Sequence, residues 1–165
     1  MTYLQTIELT EKVSTDQTGR FPVTSSCGSK YLKVLYNHDS KTILADPLTS
    51  RNEHELIQAT RVLHAYLSDR GLTPQYQMLD NECPGGPKTF LREASVKFQL
   101  VPPDLHHTNA AERAIQTYKD HLISSLSSCD PNLPSHIWDR LIPHATLTLN
   151  LIHPSRLNPR LSAEA

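Results

Sequence analysis

The hydrophobic period changes along this chain, and that change restricts the fold more than any other sequence feature. Early runs rich in β-formers extend from Val13 to Phe21, Tyr31 to Tyr36 and Thr42 to Ala45. From Asn52 to Arg70 the apolar residues instead recur at intervals of three and four, which predicts a helix. The remaining pattern predicts strands at Tyr76–Leu79 and Val96–Val101, a short helix at Thr89–Ala94, and helices at Asn109–Leu126 and His136–Ile152, the last bent at Pro143.

This order of elements predicts an α/β fold. Three leading strands followed by alternating helices and strands favour a mixed five-stranded sheet with helices on both faces. A chain of 165 residues has room for one such domain. We expect the domain to cover residues 13–152, after a lead-in at 1–12 and before a C-terminal tail at 153–165.

Charge and cysteine content exclude several classes of protein. The 16 basic and 17 acidic residues give a formal charge of −1, so a nucleic-acid partner would need a local basic patch. The three cysteines are far apart and form no CxxC pair, which argues against a zinc finger or a disulfide framework. No apolar run is long enough to span a membrane, and no targeting signal is evident, so we expect a nuclear or cytoplasmic protein without membrane contact.

Three carboxylates occupy positions that suit metal-dependent chemistry. Asp16 interrupts the first strand, Asp80 follows the strand Tyr76–Leu79, and Glu112 lies in the first turn of a helix. Acids gathered at one sheet edge repel one another unless cations neutralise them, and oxygen ligands select Mg²⁺ or Mn²⁺. Each residue also has a plain structural reading: a turn or cap for the aspartates, and a favourable helix-dipole contact for Glu112.

The blocks that surround these acids resemble a known family. Thr15–Pro22, Leu79–Glu82 and Asn109–Arg113, in this order, are similar to the three blocks of a retroviral-type integrase core. The closest likeness is to integrases of copia-type LTR retrotransposons. The stretch from Trp138 to Leu151 also resembles the helix after the last block, so the likeness extends over nearly the whole chain.

The resemblance implies a ribonuclease-H-like fold and a metal-binding catalytic triad of Asp16, Asp80 and Glu112. It also implies Mg²⁺ (or Mn²⁺) as cofactor, 3′-end processing and strand transfer on DNA as the reaction, and self-association into a homo-oligomer. Two departures from the family pattern stand out: the interval between Asp80 and Glu112 is a few residues short, and Asn109 stands where members often have glycine.

Further candidates lie on the helix that carries Glu112. Gln116 and Lys119 follow Glu112 by four and seven residues and therefore share its face, where DNA would lie. Arg113 and Lys97 are candidate phosphate contacts, although solvated surface charge explains each of these residues equally well. The adjacent His106 and His107 are poorly spaced to chelate one ion.

Two other functions stay open at the level of sequence. One is a nucleic-acid-binding module without catalysis, derived from such an element; the other is a structure-specific nuclease on the same fold. Integrases of this kind usually carry an N-terminal zinc domain and a basic C-terminal region, so we also expect this chain to be part of a longer polyprotein.

Overall fold

A five-stranded mixed sheet forms the centre of the protein. The structure, a computed structural model, describes residues 11–81, 83–101 and 110–165. The strands lie in the order β3-β2-β1-β4-β5, with β2 antiparallel to both neighbours and β4 parallel to β1 and β5. Their bounds are β1 Lys12–Gln17, β2 Tyr31–Asn37, β3 Ile43–Leu48, β4 Tyr76–Leu79 and β5 Lys97–Leu100.

Helices cover both faces of this sheet, as the sequence predicts. The helices are α1 Glu53–Ser68, α2 Gly85–Glu93, α3 Ala110–Ser127 and α4 Ile142–Ile152, and a 3₁₀ helix at Ser135–Leu141 leads into α4. On one face, α3 and α4 pack on β2 and β3. On the other face, α1 packs against β1, β2 and β3 through two separate apolar clusters. Within the described ranges, no helix combines the length and apolar character that a membrane crossing requires.

The face under α3 and α4 holds the largest apolar core. Trp138 stacks on Phe21 with ring centroids 4.5 Å apart, and its indole Nε1 donates to the Val23 carbonyl at 2.9 Å. Tyr118 is fully buried, and its hydroxyl donates to the Ile142 carbonyl at 3.1 Å. These contacts hold the 3₁₀ helix against the segment after β1 and join α3 to α4, and α3 also packs on β1, the strand that carries Asp16.

Four element boundaries differ from the sequence prediction by more than two residues. Strand β1 ends at Gln17 rather than near Phe21, because Phe21 turns to stack on Trp138. Strand β3 continues through Pro47. An edge strand tolerates proline because the missing N–H would have pointed away from the sheet and needs no partner strand. Helix α2 begins at Gly85, before the predicted start at Thr89.

The fourth difference concerns Pro143, which we expected to bend one long helix. It instead lies in the first turn of α4, where a missing N–H breaks no helical hydrogen bond.

The C-terminal residues pack against the domain. The Thr42 hydroxyl donates to the Ala163 carbonyl at 2.8 Å, and Pro154 forms a β-bridge with Ser162. An ion pair of 3.2 Å joins Arg70 of α1 to Glu164. The division into a domain and a tail at residue 152 stays a prediction. Of the lead-in, residues 1–10 lie outside the described residues.

Candidate active site

The register of two parallel strands places Asp16 beside Asp80. Ser14 of β1 is opposite Met78 of β4, and continuing that register by two residues brings Asp16 opposite Asp80. Both residues lie at the carboxyl ends of their strands, the edge where open α/β sheets bind ligands. The two aspartates line one cavity of about 260 Å³.

The cavity lies between the sheet edge, α1 and the start of α2. Its walls carry acidic, basic and apolar side chains together. The lining residues are Thr15, Asp16, Gln17, Lys33, Arg51, Leu56, Leu79, Asp80, Cys83 and Pro84.

The start of α2 is held against α1 beside this cavity. The Glu53 carboxylate accepts a hydrogen bond of 3.1 Å from the Gly86 N–H, one of the free donors at a helix N-terminus. A Cβ atom on Gly86 would come within 2.8 Å of that carboxylate, so any other residue there would displace the Glu53 side chain. Pro84 at the N-cap then forms part of the cavity wall.

Asp16 is half-buried, and its surroundings disfavour the negative charge on its carboxylate. Its pKa is raised, first by burial and then by repulsion from Asp80 and Glu112, while a hydrogen bond from the Gln17 N–H and the nearby Arg51 lower it. That N–H donates to Asp16 Oδ1 at 2.7 Å. The ionised form of Asp16 is therefore one that an added cation would stabilise.

Asp80 and Glu112 differ in their surroundings. Asp80 Oδ1 accepts from the Asn81 N–H at 2.6 Å, in the turn that follows β4. Glu112 is exposed in the first turn of α3 and is not among the residues that line the cavity. Glu112 is nevertheless close enough for its charge to raise the pKa of Asp16.

The three acids together suit a hard cation by their chemistry, because carboxylate oxygens are the ligands that Mg²⁺ and Mn²⁺ prefer. Within the part of the chain that the structure describes, no set of three or more His, Cys, Asp and Glu side chains is already arranged as a metal site. The triad of Asp16, Asp80 and Glu112 thus stays a prediction, with Asp16 and Asp80 lining one cavity and Glu112 coupled through its charge to Asp16.

The predicted DNA-contacting residues share the exposed side of α3. Gln116 is exposed and donates to Asp120 Oδ1 at 2.8 Å, one turn along the helix. Arg113 is exposed and lines a second cavity with Lys41 and His153. Lys119, one turn further along the face of Glu112, is half-buried. Lys97 is exposed at the start of β5.

Basic side chains gather near that second cavity. Burial raises the pKa of Tyr36, and the positive charges of Arg156 and Arg113 offset part of that rise. Both guanidinium groups therefore lie near Tyr36, which lines the same cavity. A local basic patch thus exists on a chain whose net charge is −1. His106 and His107, like Glu82 in the second resemblance block, lie outside the described residues.

Sequence reasoning missed a buried polar chain under the site. His64 of α1 donates through Nε2 to Gln77 Oε1 at 2.8 Å, and Gln77 Nε2 donates to Thr15 Oγ1, also at 2.8 Å. Burial lowers the pKa of His64 to about 4, so this imidazole is neutral at pH 7. These two hydrogen bonds connect His64 of α1, through Gln77 of β4, to Thr15, the residue before Asp16.

Two cations in the cavity were also missed. Lys33 lies in the middle of β2 and is 4% exposed, and Arg51 stands just before α1. A signal for Lys33 existed in the sequence, since it shares the alternation of Leu35 and therefore falls on a face that should be buried. Cys83 in the same cavity is half-buried, and burial raises the pKa of its thiol, which agrees with a packing role.

Comparison with solved structures identifies the fold. The chain matches the HTLV-2 integrase catalytic core domain in complex with magnesium, in a dimeric form with TM-score 0.65 and 20% identity and a trimeric form with 0.67 and 21%. These matches cover 89% and 88% of this chain and 90% and 89% of those chains. The BIV integrase catalytic core domain matches with TM-score 0.65 and 13% identity, over 92% of this chain and 91% of that one.

A longer protein also matches. The chain aligns with the simian T-cell lymphotropic virus intasome, solved in complex with PP2A regulatory subunit B56 gamma, with TM-score 0.72, 18% identity and 92% of this chain covered. This chain spans about half, 52%, of that one. No protein-family model and no curated protein sequence matches the chain. The structural matches confirm the predicted ribonuclease-H-like fold of integrase catalytic cores.

Proposed function

We propose that this chain is an integrase catalytic core, a polynucleotidyl transferase that processes DNA 3′ ends and joins them to a target DNA. The observation that carries this proposal is the meeting of Asp16 and Asp80 in one cavity, at the carboxyl ends of β1 and β4, on an integrase-core fold. The copia-type affiliation from the sequence blocks belongs to the same proposal.

The reaction consists of two phosphoryl transfers. In processing, water attacks a phosphodiester near a DNA 3′ end. The short terminal fragment leaves with a 5′-phosphate, and the remaining strand ends in a free 3′-hydroxyl. In transfer, that hydroxyl attacks a target phosphodiester, forms a new bond and displaces the target's own 3′-hydroxyl. The net count of phosphodiester bonds stays constant in the second step, so no external energy source is needed.

The chain's own residues would hold the cofactor and the substrate. Asp16, Asp80 and Glu112 would bind Mg²⁺ or Mn²⁺, which when bound supply nucleophile activation and leaving-oxygen stabilisation. The raised pKa of Asp16 supports this assignment, because burial and then repulsion from Asp80 and Glu112 disfavour its ionised form, which a bound cation would stabilise. Arg113, Gln116 and Lys119 would contact DNA phosphates along the exposed side of α3.

Self-association is part of the proposal. The HTLV-2 core domain has been solved in dimeric and trimeric forms, and the simian protein forms an intasome. A homo-oligomer that holds element ends and target DNA together is the corresponding expectation for this chain.

A nucleic-acid-binding module without catalysis is the second candidate. The observation that favours it is the exposed position of Glu112 outside the cavity that holds the two aspartates. The basic patch around Arg113 and Arg156 serves binding in either case.

Activity of the acid variants separates the two candidates. With Mg²⁺ or Mn²⁺ and an end-like duplex, Asp16→Asn, Asp80→Asn and Glu112→Gln should each reduce cleavage and joining by about 10²-fold or more. DNA affinity should hardly change, since affinity comes from cations that meet phosphates. Asp69→Asn, an exposed acid at the end of α1, is the matched control and should keep full activity.

Metal binding gives a second measurement that does not depend on activity. Millimolar Mn²⁺ should raise the melting temperature of the wild type, because it binds the folded state, and should leave Asp80→Asn unchanged. A wild-type chain that binds DNA yet shows no metal-dependent cutting or joining would establish the binding module instead. Cutting without joining would establish a structure-specific nuclease.

The DNA-binding residues are tested by salt dependence. Lys119→Gln should weaken binding to all sequences and reduce the slope of log affinity against log salt by about 1. Lys30→Gln, just before β2 and outside the predicted DNA-contacting residues, serves as a control with the same loss of charge. Equal slopes for wild type and Lys119→Gln would remove Lys119 from the interface.

A further inference from the structure

Lys33 is a charged residue in a place where sheets carry apolar ones. It lies in the second strand of a five-stranded sheet, paired with Gln17 on one side and Asp46 on the other, and is 4% exposed. Among the described residues, its ammonium group has no hydrogen-bond acceptor and no carboxylate within ion-pair distance. Its side chain lines the cavity that also holds Asp16 and Asp80.

This burial is costly for a charged group. Burial lowers the pKa of Lys33 to about 8, while Cys83, Asp16 and Asp46 act in the opposite direction. The ammonium is therefore still mostly protonated at pH 7. Because the Lys33 side chain faces the cavity and has no acceptor in the described parts of the chain, an anion in the cavity would complete the environment of its charge.

Arg51 brings a second cation to the same cavity, and its guanidinium is held in place. Nη2 donates to the Thr18 carbonyl, and the guanidinium carbon lies 4.7 Å from the centre of the Tyr31 ring. These two contacts fix the group in the short segment between β3 and α1. They use only part of its five donors, so others remain for a ligand in the cavity.

We infer that Lys33 and Arg51 form a binding site for one phosphate group of a DNA strand, next to the candidate catalytic aspartates. This inference rests on the proposed function, and it assigns a substrate-positioning role to two residues outside the predicted triad. A phosphodiester carries its charge on two free oxygens. A planar guanidinium and a point-charge ammonium recognise such oxygens with complementary geometry.

Anion binding in this cavity should depend on a metal ion at the aspartates. The cavity has two acids and two bases, so without a metal ion any anion there meets repulsion from Asp16 and Asp80. A phosphate next to cation-loaded aspartates meets positive charge on both sides. The site is thus expected to bind phosphate more tightly with Mg²⁺ present than without it.

Free phosphate tests the anion site itself. The melting temperature of the full chain is measured with inorganic phosphate against chloride at equal ionic strength, in Mg²⁺. Phosphate should raise it for the wild type and for Arg61→Gln, an exposed α1 cation outside the cavity, but not for Lys33→Met or Arg51→Gln. Equal phosphate shifts in Lys33→Met and Arg61→Gln would overturn the inference.

DNA with single neutral linkages tests whether the phosphate belongs to a DNA strand. Methylphosphonate is placed at one linkage at a time near the 3′ end, and binding is measured in Mg²⁺. Replacing the phosphate at one particular linkage, the one bound by Lys33 and Arg51, should weaken wild-type binding about tenfold. Lys33→Met should bind native DNA about tenfold more weakly and lose nothing further at that linkage, while Arg61→Gln should behave as the wild type.

The outcomes separate this inference from the proposed function. Cutting and joining by the wild type, with no linkage that depends on Lys33, would overturn the inference and leave the function intact. A phosphate shift that depends on Lys33, in a chain that neither cuts nor joins, would support the anion site and reject the function. If phosphate raises the melting temperature but no methylphosphonate linkage weakens wild-type DNA binding more than Lys33→Met binding, the assignment to a DNA phosphate is overturned. Arg51→Gln changes an exposed residue, so it keeps the test valid should Lys33→Met alter the fold.

Discussion

The two faces of the sheet are built from different kinds of residue. Under α3 and α4 the sheet contributes Leu32, Val34 and Ile43 to a continuous apolar core. Under α1 the corresponding core is smaller, and towards the cavity its positions are taken by Lys33 and Gln77. Both faces come from the same strands, since successive residues of a strand point to opposite sides.

This difference shows how the fold divides its tasks. The α3–α4 face supplies stability, because apolar burial and close packing are its main content. Near the sheet edge, the α1 face has buried polar groups beside Asp16 and Asp80 instead of apolar contacts, so it contributes less to stability there. Four predictions test this division, in order of decreasing effect on the free energy of unfolding.

Trp138→Ala should destabilise the protein most, by about 3–5 kcal/mol, because it removes a large side chain from the well-packed α3–α4 face. It also removes the stacking on Phe21 and the hydrogen bond to Val23. Urea unfolding followed by circular dichroism measures the loss. Val62→Ala, at a 54% exposed position of α1, should change stability by less than about 0.5 kcal/mol. A Trp138→Ala loss as small as that of Val62→Ala would contradict the division.

Gln77→Leu should cost about 2–4 kcal/mol on the α1 face for a different reason. It leaves the His64 N–H and the Thr15 hydroxyl buried without partners, and each unsatisfied group carries a desolvation penalty. The triple variant Thr15→Val, His64→Leu and Gln77→Leu should recover most of this loss in the same urea experiment. If the triple variant is no more stable than Gln77→Leu, packing rather than hydrogen bonding explains the cost.

Lys33→Met should instead stabilise the free protein, by about 1–3 kcal/mol at pH 7, because it removes a buried charge without a partner and keeps the length of the side chain.

The stability difference between Lys33→Met and the wild type depends on pH. The folded pKa of about 8 lies below the ordinary value of 10.5, so between these values the unfolded chain binds more protons and wild-type stability rises with pH. The advantage of Lys33→Met should therefore shrink from pH 8 towards pH 10.5, as measured by urea unfolding at each pH. A pH-independent difference would show that the charge is not its cause.

Arg70→Gln should have the smallest effect, below about 1 kcal/mol, although it also lies on the α1 side. The Arg70 side chain is 40% exposed, and ion pairs with an exposed cation contribute little. Glu164, which is 16% exposed, keeps its hydrogen bond from the Tyr66 hydroxyl in this variant. The loss should become smaller still in high salt. A cost comparable to that of Gln77→Leu would mean that the C-terminal residues, rather than the buried polar chain, stabilise this face.

The sequence predicted the order of strands and helices because the hydrophobic period is local. The strand Tyr76–Leu79 has the predicted bounds, and the predicted helix at Asn109–Leu126 is shifted by one residue at each end. The errors at Phe21, Pro47 and Pro143 share a cause. In each case a contact or an edge position elsewhere in the fold decided what the local residue type left open.

The candidate site was predicted in part for the same reason. Asp16 and Asp80 follow β-rich runs, and parallel strands end at the same sheet edge, so their meeting could be expected. Lys33 and Arg51 could not be assigned to this place. Their position depends on the pairing of β2 with β1 and on the path of the chain from β3 into α1.

The sequence by itself determined the class of fold and the acidic residues that suit a hard cation, because hydrophobic period and ligand chemistry are properties of the residues. Only the tertiary structure decided that Asp16 and Asp80 share a cavity with two cations, while Glu112 raises the pKa of Asp16 from an exposed helix turn. The reason is that burial and electrostatic coupling depend on distances between residues far apart in the chain. The strand register and helix packing alone set those distances.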